Sequence, residues 1–221
     1  AEQLDNLYIF KNTEGTPENI RKFHPNIIVS STGSAPLLPP IAGLKDRIDN
    51  ENHNIYSILG MISHINDFPK DLEGKKVVVV GGGAVGLDVV EFFADRNADI
   101  SIVEMMDQIG RDLDPVSKND TKTMIKKHNV HQLTKTALLE VKDSSFLVRG
   151  DGEPYELPFE YGFVCLGMRA QGQLYQSLTE EFSSEDVEIM NIGDSQRARR
   201  IIDGTQEGRN ILTVLEQKGY L

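Results

Sequence analysis

Runs of apolar residues alternate along this chain with segments of helical periodicity, which is the pattern of a parallel α/β sheet. The clearest run, residues 77–80, consists of consecutive valines, as in a strand covered on both faces. Apolar residues then recur at positions 85, 89, 92 and 93, the spacing of a helix that lies on a sheet. A second run, residues 100–103, ends at Glu104. The pattern predicts a strand–helix–strand unit with a glycine turn after its first strand.

Weaker patterns extend this organisation in both directions. Further strands are predicted at residues 7–10, 26–30, 161–166 and 187–192. Helices are predicted from Thr16–Pro17, within residues 54–68, from Asp114–Pro115 to about Lys127, and from Ser195 onward. Short apolar runs at 137–141, 146–148 and 155–157, separated by turn residues, predict a small antiparallel β-meander before the 161–166 strand.

The glycine turn has the spacing G-x-G-x-x-G, made by Gly81, Gly83 and Gly86. In a dinucleotide site the first glycine makes the tight turn, the second lets backbone approach a pyrophosphate, and the third lets helix and strand pack closely. The helix N-terminus adds free N–H groups. Glu104 lies roughly 20 residues further on, where a carboxylate accepts hydrogen bonds from the NAD ribose and repels the extra phosphate of NADP. The alternative is a flavodoxin-like or methyltransferase-like unit with a coincidental glycine run.

Two other segments carry candidate chemistry. The stretch 31–36 follows a predicted strand, and its small residues with Gly33 allow close approach of a ligand or of another chain segment. Gly193 and Asp194 follow the 187–192 strand and precede the last predicted helix. Asp194 can place a carboxylate on a polyol hydroxyl, or it can serve only as the N-cap of that helix. The residues alone leave both roles open.

Composition narrows the class of protein. With 221 residues, 39% hydrophobic and 26% charged, the chain suits a globular protein of one large or two modest domains. Its net charge of −11 disfavours nucleic acid and anionic membranes as partners. No apolar run reaches the roughly 20 residues that span a bilayer. The N-terminal residues show no signal-peptide pattern, so we expect a cytoplasmic protein.

The single cysteine, Cys165, excludes an intrachain redox disulfide, an iron–sulfur cluster and a cysteine-rich zinc site within this chain. It lies in a predicted apolar strand, which favours an inert buried thiol. His128 and His131 stand three residues apart where a helix is predicted to end, and no further ligand is placed beside them. We therefore predict a solvated histidine pair, no metal site and no catalytic side chain.

Three motifs together resemble the pyridine nucleotide-disulfide oxidoreductase-like flavoproteins, which have two dinucleotide-binding domains. Residues 31–36 resemble that family's crossover into its NAD domain, residues 81–86 its NAD fingerprint, and residues 192–194 its second flavin motif. Residues 166–169 resemble the return strand that closes the NAD domain. The segments 103–107 and 197–203 are most similar to the C-terminal region of the 2-enoate reductase and 2,4-dienoyl-CoA reductase branch, a group of NADH:flavin oxidoreductases.

The resemblance implies an α/β fold in which a Rossmann-like NAD(H) domain, residues 47–168, is inserted in a partial FAD domain, residues 1–46 and 169–221. The implied NAD-binding residues are Gly81, Gly82, Gly83, Ala84, Val85, Gly86, Glu104 and Gly167. The implied FAD-binding residues are Thr32, Gly33, Ser34, Gly193 and Asp194. Position 88 is Asp where many relatives carry Glu near the nicotinamide.

The resemblance also implies an activity that this chain does not complete. NADH would pass hydride to FAD, and electrons would continue through an iron–sulfur cluster to FMN, which reduces an enoate or enoyl-CoA double bond. The family's glycine-rich FAD loop is absent before Ser31. We therefore expect a fragment of a longer reductase that binds NADH, is inactive alone, and has the remaining domains as its partner. The rivals are a non-enzymatic NADH-binding module and part of a disulfide or ferredoxin reductase.

Overall fold

A computed structural model describes residues 5–220 of the chain. They divide into two compact units: a central unit, Pro36–Met168, and a flanking unit made of residues 5–35 and 169–220. In chain order the elements are α1 (Pro17–Arg21), β1 (Ile27–Ser30), β2 (Ser34–Pro36), α2 (Leu44–Arg47), β3 (Ile55–Tyr56), α3 (Ile58–Ser63), β4 (Lys76–Val80), α4 (Ala84–Ala94), β5 (Asp99–Val103), α5 (Pro115–Lys127), β6 (His131–Leu133), β7 (Ala137–Val141), β8 (Ser145–Arg149), β9 (Tyr155–Pro158), β10 (Tyr161–Val164), β11 (Met168–Ala170), α6 (Gln173–Glu181), β12 (Glu188–Asn191), a 3-10 turn (Gly193–Ser195) and α7 (Ile201–Gln217).

The central unit contains a five-stranded parallel sheet with the order β3-β10-β4-β5-β6. The valine strand β4 lies in the middle, where Val80 is paired with Val164 on one side and with Val103 on the other. The α/β fold with a parallel sheet, predicted from the alternation of apolar runs and helices, is confirmed. Since parallel strands end at the same edge, the segments that follow β4, β5 and β10 all emerge there.

The burial of β4 explains its unbroken run of valines. Val77 and Val79 pack in one core cluster with residues of α4 such as Val89 and Phe93. Val78 and Val80 pack in a second cluster with the β-meander. Since side chains alternate across a strand, both faces of β4 are covered, and neither face can carry polar residues.

The predicted β-meander is present as the antiparallel sheet β7-β8-β9. Phe146 and Val148 of β8 are fully buried against the parallel sheet. Its β7 edge also binds the entry segment of the unit: the Val141 N–H donates to the Ala42 carbonyl at 2.8 Å, and Leu44 is fully buried in the same cluster. Residues 36–46, which the resemblance assigns to the FAD domain, thus belong to the central unit.

The flanking unit has a parallel pair, β1 with β12, and a ribbon of β2 with β11. Its core cluster centres on Ile28, Leu178 and Phe182. Arg21 of α1 forms an ion pair with Glu181 at 2.7 Å, and its guanidinium lies over the Phe182 ring, 4.7 Å from the ring centroid. These contacts hold α1 against α6.

Among the sequence predictions of secondary structure, one strand is wrong and two predicted helices are present with narrower bounds. Residues 7–10 form no strand, and their large side chains are exposed, with Tyr8 at 78%. The helix predicted within residues 54–68 is confirmed as the short α3, which begins after β3 because the Ser57 hydroxyl accepts the Gly60 N–H and caps the helix there. The final helix begins at Ile201 rather than Ser195, after a 3-10 turn. The N-caps predicted at Thr16 and Asp114 are confirmed.

Candidate functional site

The glycine turn of residues 81–86, called the fingerprint turn below, connects β4 to α4 at the carboxyl edge of the parallel sheet. Gly81 has a φ of +109°, a conformation that side chains disfavour, and a Cβ there would lie 2.1 Å from the Cys165 carbonyl oxygen. A Cβ on Gly86 would lie 1.9 Å from the Gly81 carbonyl oxygen. These two glycines are therefore required by the close packing of the turn, independently of any ligand.

Gly83 differs from these two glycines. Its φ of −79° suits any residue, and a Cβ there would meet no atom of the described chain within 4 Å. Gly83 is the N-cap residue of α4 and supplies no side chain to cap it, so the first-turn N–H groups of Ala84 and Val85 lack an intrahelical carbonyl partner. Open space therefore lies where a helix N-terminus presents donors and partial positive charge, which suits an anion.

Glu104 closes the turn from the side of β5. One of its carboxylate oxygens, Oε2, accepts the Gly82 N–H at 2.6 Å, and the other, Oε1, accepts the Met106 N–H at 2.7 Å. The Gly82 carbonyl in turn accepts the Gly110 N–H at 2.7 Å. Both backbone polar groups of Gly82 are thus satisfied within the protein. Each carboxylate oxygen of Glu104 keeps lone-pair capacity for a further donor such as a hydroxyl.

Gly167 follows β10 at the same edge of the sheet. It has a φ of +107°, and a Cβ there would have no neighbour within 4 Å in the described chain. Its carbonyl accepts the Leu37 N–H at 2.9 Å. The sheet topology thus brings Gly167 to the edge that holds Gly81–Gly86 and Glu104, although Gly167 lies 63 residues beyond Glu104 in the sequence.

Two titratable side chains lie beside the turn. Partial burial raises the pKa of the Asp88 carboxyl, and the charge of Glu91 raises it further. Burial raises the pKa of the Cys165 thiol to about 12, and the Asp88 charge adds to the effect. Cys165 is 7% exposed. Because the thiolate is the reactive form, this thiol is inert at neutral pH, as predicted from its apolar strand.

In the flanking unit, Asp194 lies in the 3-10 turn after β12. Its Oδ2 accepts the Ser34 hydroxyl at 3.1 Å, and its Oδ1 accepts the Arg199 N–H at 3.1 Å. The N-cap of α7 is Arg200, so the alternative that Asp194 serves only as the cap of that helix is wrong. With one protein donor on each oxygen, the Asp194 carboxylate retains capacity for ligand hydroxyls.

Gly193 is held by residues that sequence reasoning did not identify. Its N–H donates to Glu207 Oε2 at 2.7 Å, and the other Glu207 oxygen pairs with Arg199 Nη2 at 2.6 Å. The Gly193 hydrogen bond and the Arg199 charge lower the pKa of the Glu207 carboxyl. The only sequence signal for this contact is an acidic residue on the first turns of α7, which is too common to identify its partner.

The segment before β2 is fixed by residues that follow β11. The Thr32 hydroxyl donates to the Gln171 carbonyl at 2.5 Å, and the Gln171 N–H donates to the Gly33 carbonyl at 3.0 Å. Gly33 has a φ of +75° with open space around a Cβ position. The Ser30 hydroxyl, on a residue 4% exposed, has no hydrogen-bond partner within residues 5–220. A buried donor without a partner at the end of β1 is consistent with a ligand-binding edge.

Other sequence predictions concern groups remote from these edges. His131 Nε2 lies 3.5 Å from Asp99 Oδ1, and no group of three or more potential metal ligands converges within residues 5–220. Over the same range, none of the helices has both the length and the apolar character to cross a membrane.

Several known proteins are similar to this chain in sequence or in fold. The chain is 26% identical over 192 residues to an NADH oxidase of Thermoanaerobacter brockii, covering 86% of this chain and 28% of that protein. It is 22% identical over 194 residues to a cinnamate reductase of Clostridium sporogenes, covering 86% of this chain and 27% of that protein. Among solved structures, a complex of 2-naphthoyl-CoA reductase superposes on this chain with a TM-score of 0.73 at 22% identity. The superposition covers 89% of this chain and 28% of that one.

The chain therefore spans less than a third of the length of each of these relatives. The family model for pyridine nucleotide-disulphide oxidoreductases matches residues 8–190, which include the glycine turn, Glu104 and Gly167. This match covers most of the chain, including the whole central unit and part of the flanking unit. The chain belongs to the pyridine nucleotide-disulphide oxidoreductase family, the flavin-dependent pyridine nucleotide oxidoreductases.

Proposed function

We propose that this chain is the NADH-binding and FAD-linked part of a longer flavin-dependent reductase. The observation that carries the proposal is the turn at Gly81–Gly86, where two glycines are fixed by packing and the third, Gly83, faces open space at a helix N-terminus. A purely structural turn has no need of a glycine at the open position. A pyrophosphate that approaches the backbone does need it.

On the nucleotide side, the amides of Gly83, Ala84 and Val85 would hold the pyrophosphate, and Glu104 would accept hydroxyls of the adenosine ribose. The Gly82 amide would not contribute, since Glu104 already binds it. The Glu104 carboxylate would repel a ribose phosphate, which favours NADH over NADPH. Gly167 would leave room for the rest of the nucleotide at the same edge of the sheet.

On the flavin side, Asp194 would bind ribitol hydroxyls of FAD, supported by Ser34 and by the backbone of Gly193. Thr32 and Gly33 would line the same edge of the flanking unit. When bound, FAD supplies the hydride acceptor, and the protein residues position it. In this proposal the central unit carries NADH and the flanking unit carries FAD.

The final acceptor proposed is the carbon–carbon double bond of an enoate or enoyl-CoA, reduced in parts of the protein outside this chain, where FMN and an iron–sulfur cluster would reside. The names of the cinnamate and 2-naphthoyl-CoA reductases support unsaturated acids and their thioesters. Disulfide reduction by this chain is disfavoured, because Cys165 is its single cysteine and its thiol is buried. The isolated chain would bind NADH without turnover.

Calorimetric titration with NADH and NADPH tests the nucleotide claim. We expect NADH to bind more tightly, and Glu104→Gln to reduce the ratio of the two affinities by about tenfold, the equivalent of 1.4 kcal/mol. Glu73→Gln, an exposed carboxylate near the C-terminal end of α4, is the matched control and should leave the ratio unchanged. Equal affinities of the native chain for NADH and NADPH would refute the role given to Glu104. Absence of binding by either nucleotide would refute the proposed function.

A further inference from the structure

A cavity of about 330 Å³ lies in the central unit between the loop after Glu104, helix α5 and strand β6. Its volume is at the lower end of the range for small-molecule pockets, roughly 300–1,000 Å³. Neither the fingerprint glycines nor Glu104 nor Gly167 lines it. The cavity is therefore distinct from the nucleotide site proposed above.

One face of α5 forms a wall of the cavity. Lys118, Thr121, Lys122 and Ile125 all line it, and their spacing of i, i+3, i+4 and i+7 places them on one side of a helix. The two ammonium groups are one turn apart on this face. Two like charges at i, i+4 destabilise a helix slightly, so nothing in the stability of α5 favours the pair.

Both lysines are unpaired. Within residues 5–220, neither Lys118 nor Lys122 makes an ion pair or a side-chain hydrogen bond, whereas Lys142 and Lys218 each pair with a glutamate. Asp107 also lines the cavity, so its charged side chains sum to +2 − 1 = +1. A positively charged cavity with two free cations contrasts with a chain of net charge −11. The excess charge favours an anion.

The floor of the cavity is apolar. Ile109, Leu113 and Ile125 line it, and all three pack against the core cluster of the parallel sheet. The Thr121 and Thr134 hydroxyls add neutral donors at the walls. An inorganic anion would leave the apolar floor uncovered, and a neutral apolar molecule would leave both ammonium groups without a partner. We propose that the cavity is a second binding site, for a small organic carboxylate with an apolar body.

The same loop that lines the cavity holds the fingerprint turn. Gly110 donates its N–H to the Gly82 carbonyl at 2.7 Å, and Ile109 Cγ1 lies 3.1 Å from the position of a Cβ on Gly82. A carboxylate bound against Ile109 therefore contacts the loop that fixes the glycine turn. The binding site itself does not depend on the function proposed for that turn.

The test is a titration of the full chain with sodium benzoate, followed by ¹H–¹⁵N NMR at constant ionic strength and without nucleotide. Benzamide, which has the same ring without the charge, serves as the ligand control. We expect saturable shifts centred on residues 107–113, α5 and β6, and weaker binding of benzamide. Lys118→Gln with Lys122→Gln should weaken benzoate binding by about tenfold or more, since both ammonium partners of the carboxylate are lost.

The matched control is Lys126→Gln with Lys127→Gln, which changes the charge of α5 equally but alters residues outside this cavity. That variant should bind benzoate as the native chain does. The proposal is overturned if benzamide binds the native chain as tightly as benzoate, if both double variants weaken binding equally, or if no saturable shift occurs near α5. Loss of NADH binding with benzoate binding intact would refute only the proposed function, and the reverse would refute only this site.

Discussion

The three fingerprint glycines should respond differently to alanine, because only two of them are confined by the protein. In Gly86→Ala the new Cβ overlaps the Gly81 carbonyl oxygen at 1.9 Å, a contact that only backbone movement can relieve. Overpacking of this kind costs typically 1–3 kcal/mol and occasionally more. The better helix propensity of alanine returns about 1 kcal/mol. A 1.9 Å overlap with backbone lies at the upper end of that range, about 3 kcal/mol, so we expect a net loss of about 2 kcal/mol in the free energy of unfolding.

Gly83→Ala should leave stability nearly unchanged. Its Cβ meets open space and its φ is ordinary, so no strain arises. Alanine is a poorer N-cap than glycine, but reduced freedom of the unfolded chain offsets this by about 0.4–1 kcal/mol. The same methyl group occupies the space that a pyrophosphate would need. We therefore expect NADH affinity to fall at least about tenfold, or 1.4 kcal/mol.

Urea unfolding by circular dichroism and calorimetric NADH titration separate the two effects. Gly152→Ala is the control, since it lies in an exposed turn and its Cβ also meets no neighbour within 4 Å in the described chain. It should match the native chain in both measurements. The reasoning is refuted if Gly83→Ala binds NADH with native affinity, or if Gly86→Ala is as stable as Gly152→Ala.

Three further predictions concern a cap, a carboxyl and a thiol. Asp114→Ala should cost about 1 kcal/mol of stability in urea unfolding, because the carboxylate accepts two first-turn N–H groups of α5, whereas Asp120→Ala in the same helix should cost much less. Contact with Gly193 lowers the pKa of the Glu207 carboxyl in the folded chain. The stabilisation of the fold by this contact is therefore present above the pKa that Glu207 has in the unfolded chain, and it is lost as the pH falls through the lower pKa of the folded chain. The Gly193 amide resonance should therefore shift on acidification, and Glu207→Gln should abolish that titration; an unchanged acid shift in the variant would contradict the assignment. With a pKa of about 12, the Cys165 thiol should resist alkylation at pH 8 in the native chain and react on unfolding, and rapid labelling of the folded chain would contradict its burial.

The parallel sheet was predictable because its signals are local. A run of four valines followed by a glycine turn specifies a doubly covered strand and the start of a helix within a dozen residues. The caps at Thr16 and Asp114 are equally local, since each is a side chain that binds N–H groups two or three residues away. Such features depend little on the rest of the fold.

The differences in helix bounds arise where distant residues decide the structure. The Asp49 carboxylate accepts the Ser57 N–H at 2.7 Å and sits where a Cβ on Gly60 would lie, which fixes the start of α3 and interrupts the helical pattern of residues 54–68. Glu207 reaches back to Gly193 and delays the start of α7. In both cases the partner lies outside the window in which periodicity is read.

The candidate site was only partly predictable for the same reason. The glycine spacing located the turn, but the bond from Gly82 to Glu104 and the bond from Gly110 to Gly82 join three segments. No sequence pattern distinguishes Gly110 from other loop glycines. The sequence predicts a helix from Asp114 to about Lys127, but only the fold shows that its lysine face lines a cavity.

The anchoring of Gly82 on both sides bears on the entropy of nucleotide binding. Ordering a flexible loop costs roughly 1–2 kcal/mol of backbone entropy for each residue that becomes fixed. Here the N–H of Gly81 is bound to Val103, and both polar groups of Gly82 are bound to Glu104 and Gly110 before any ligand arrives. The folding of the central unit has therefore already ordered the turn. Affinity for a dinucleotide can then follow directly from contact and charge, with little lost to ordering the protein.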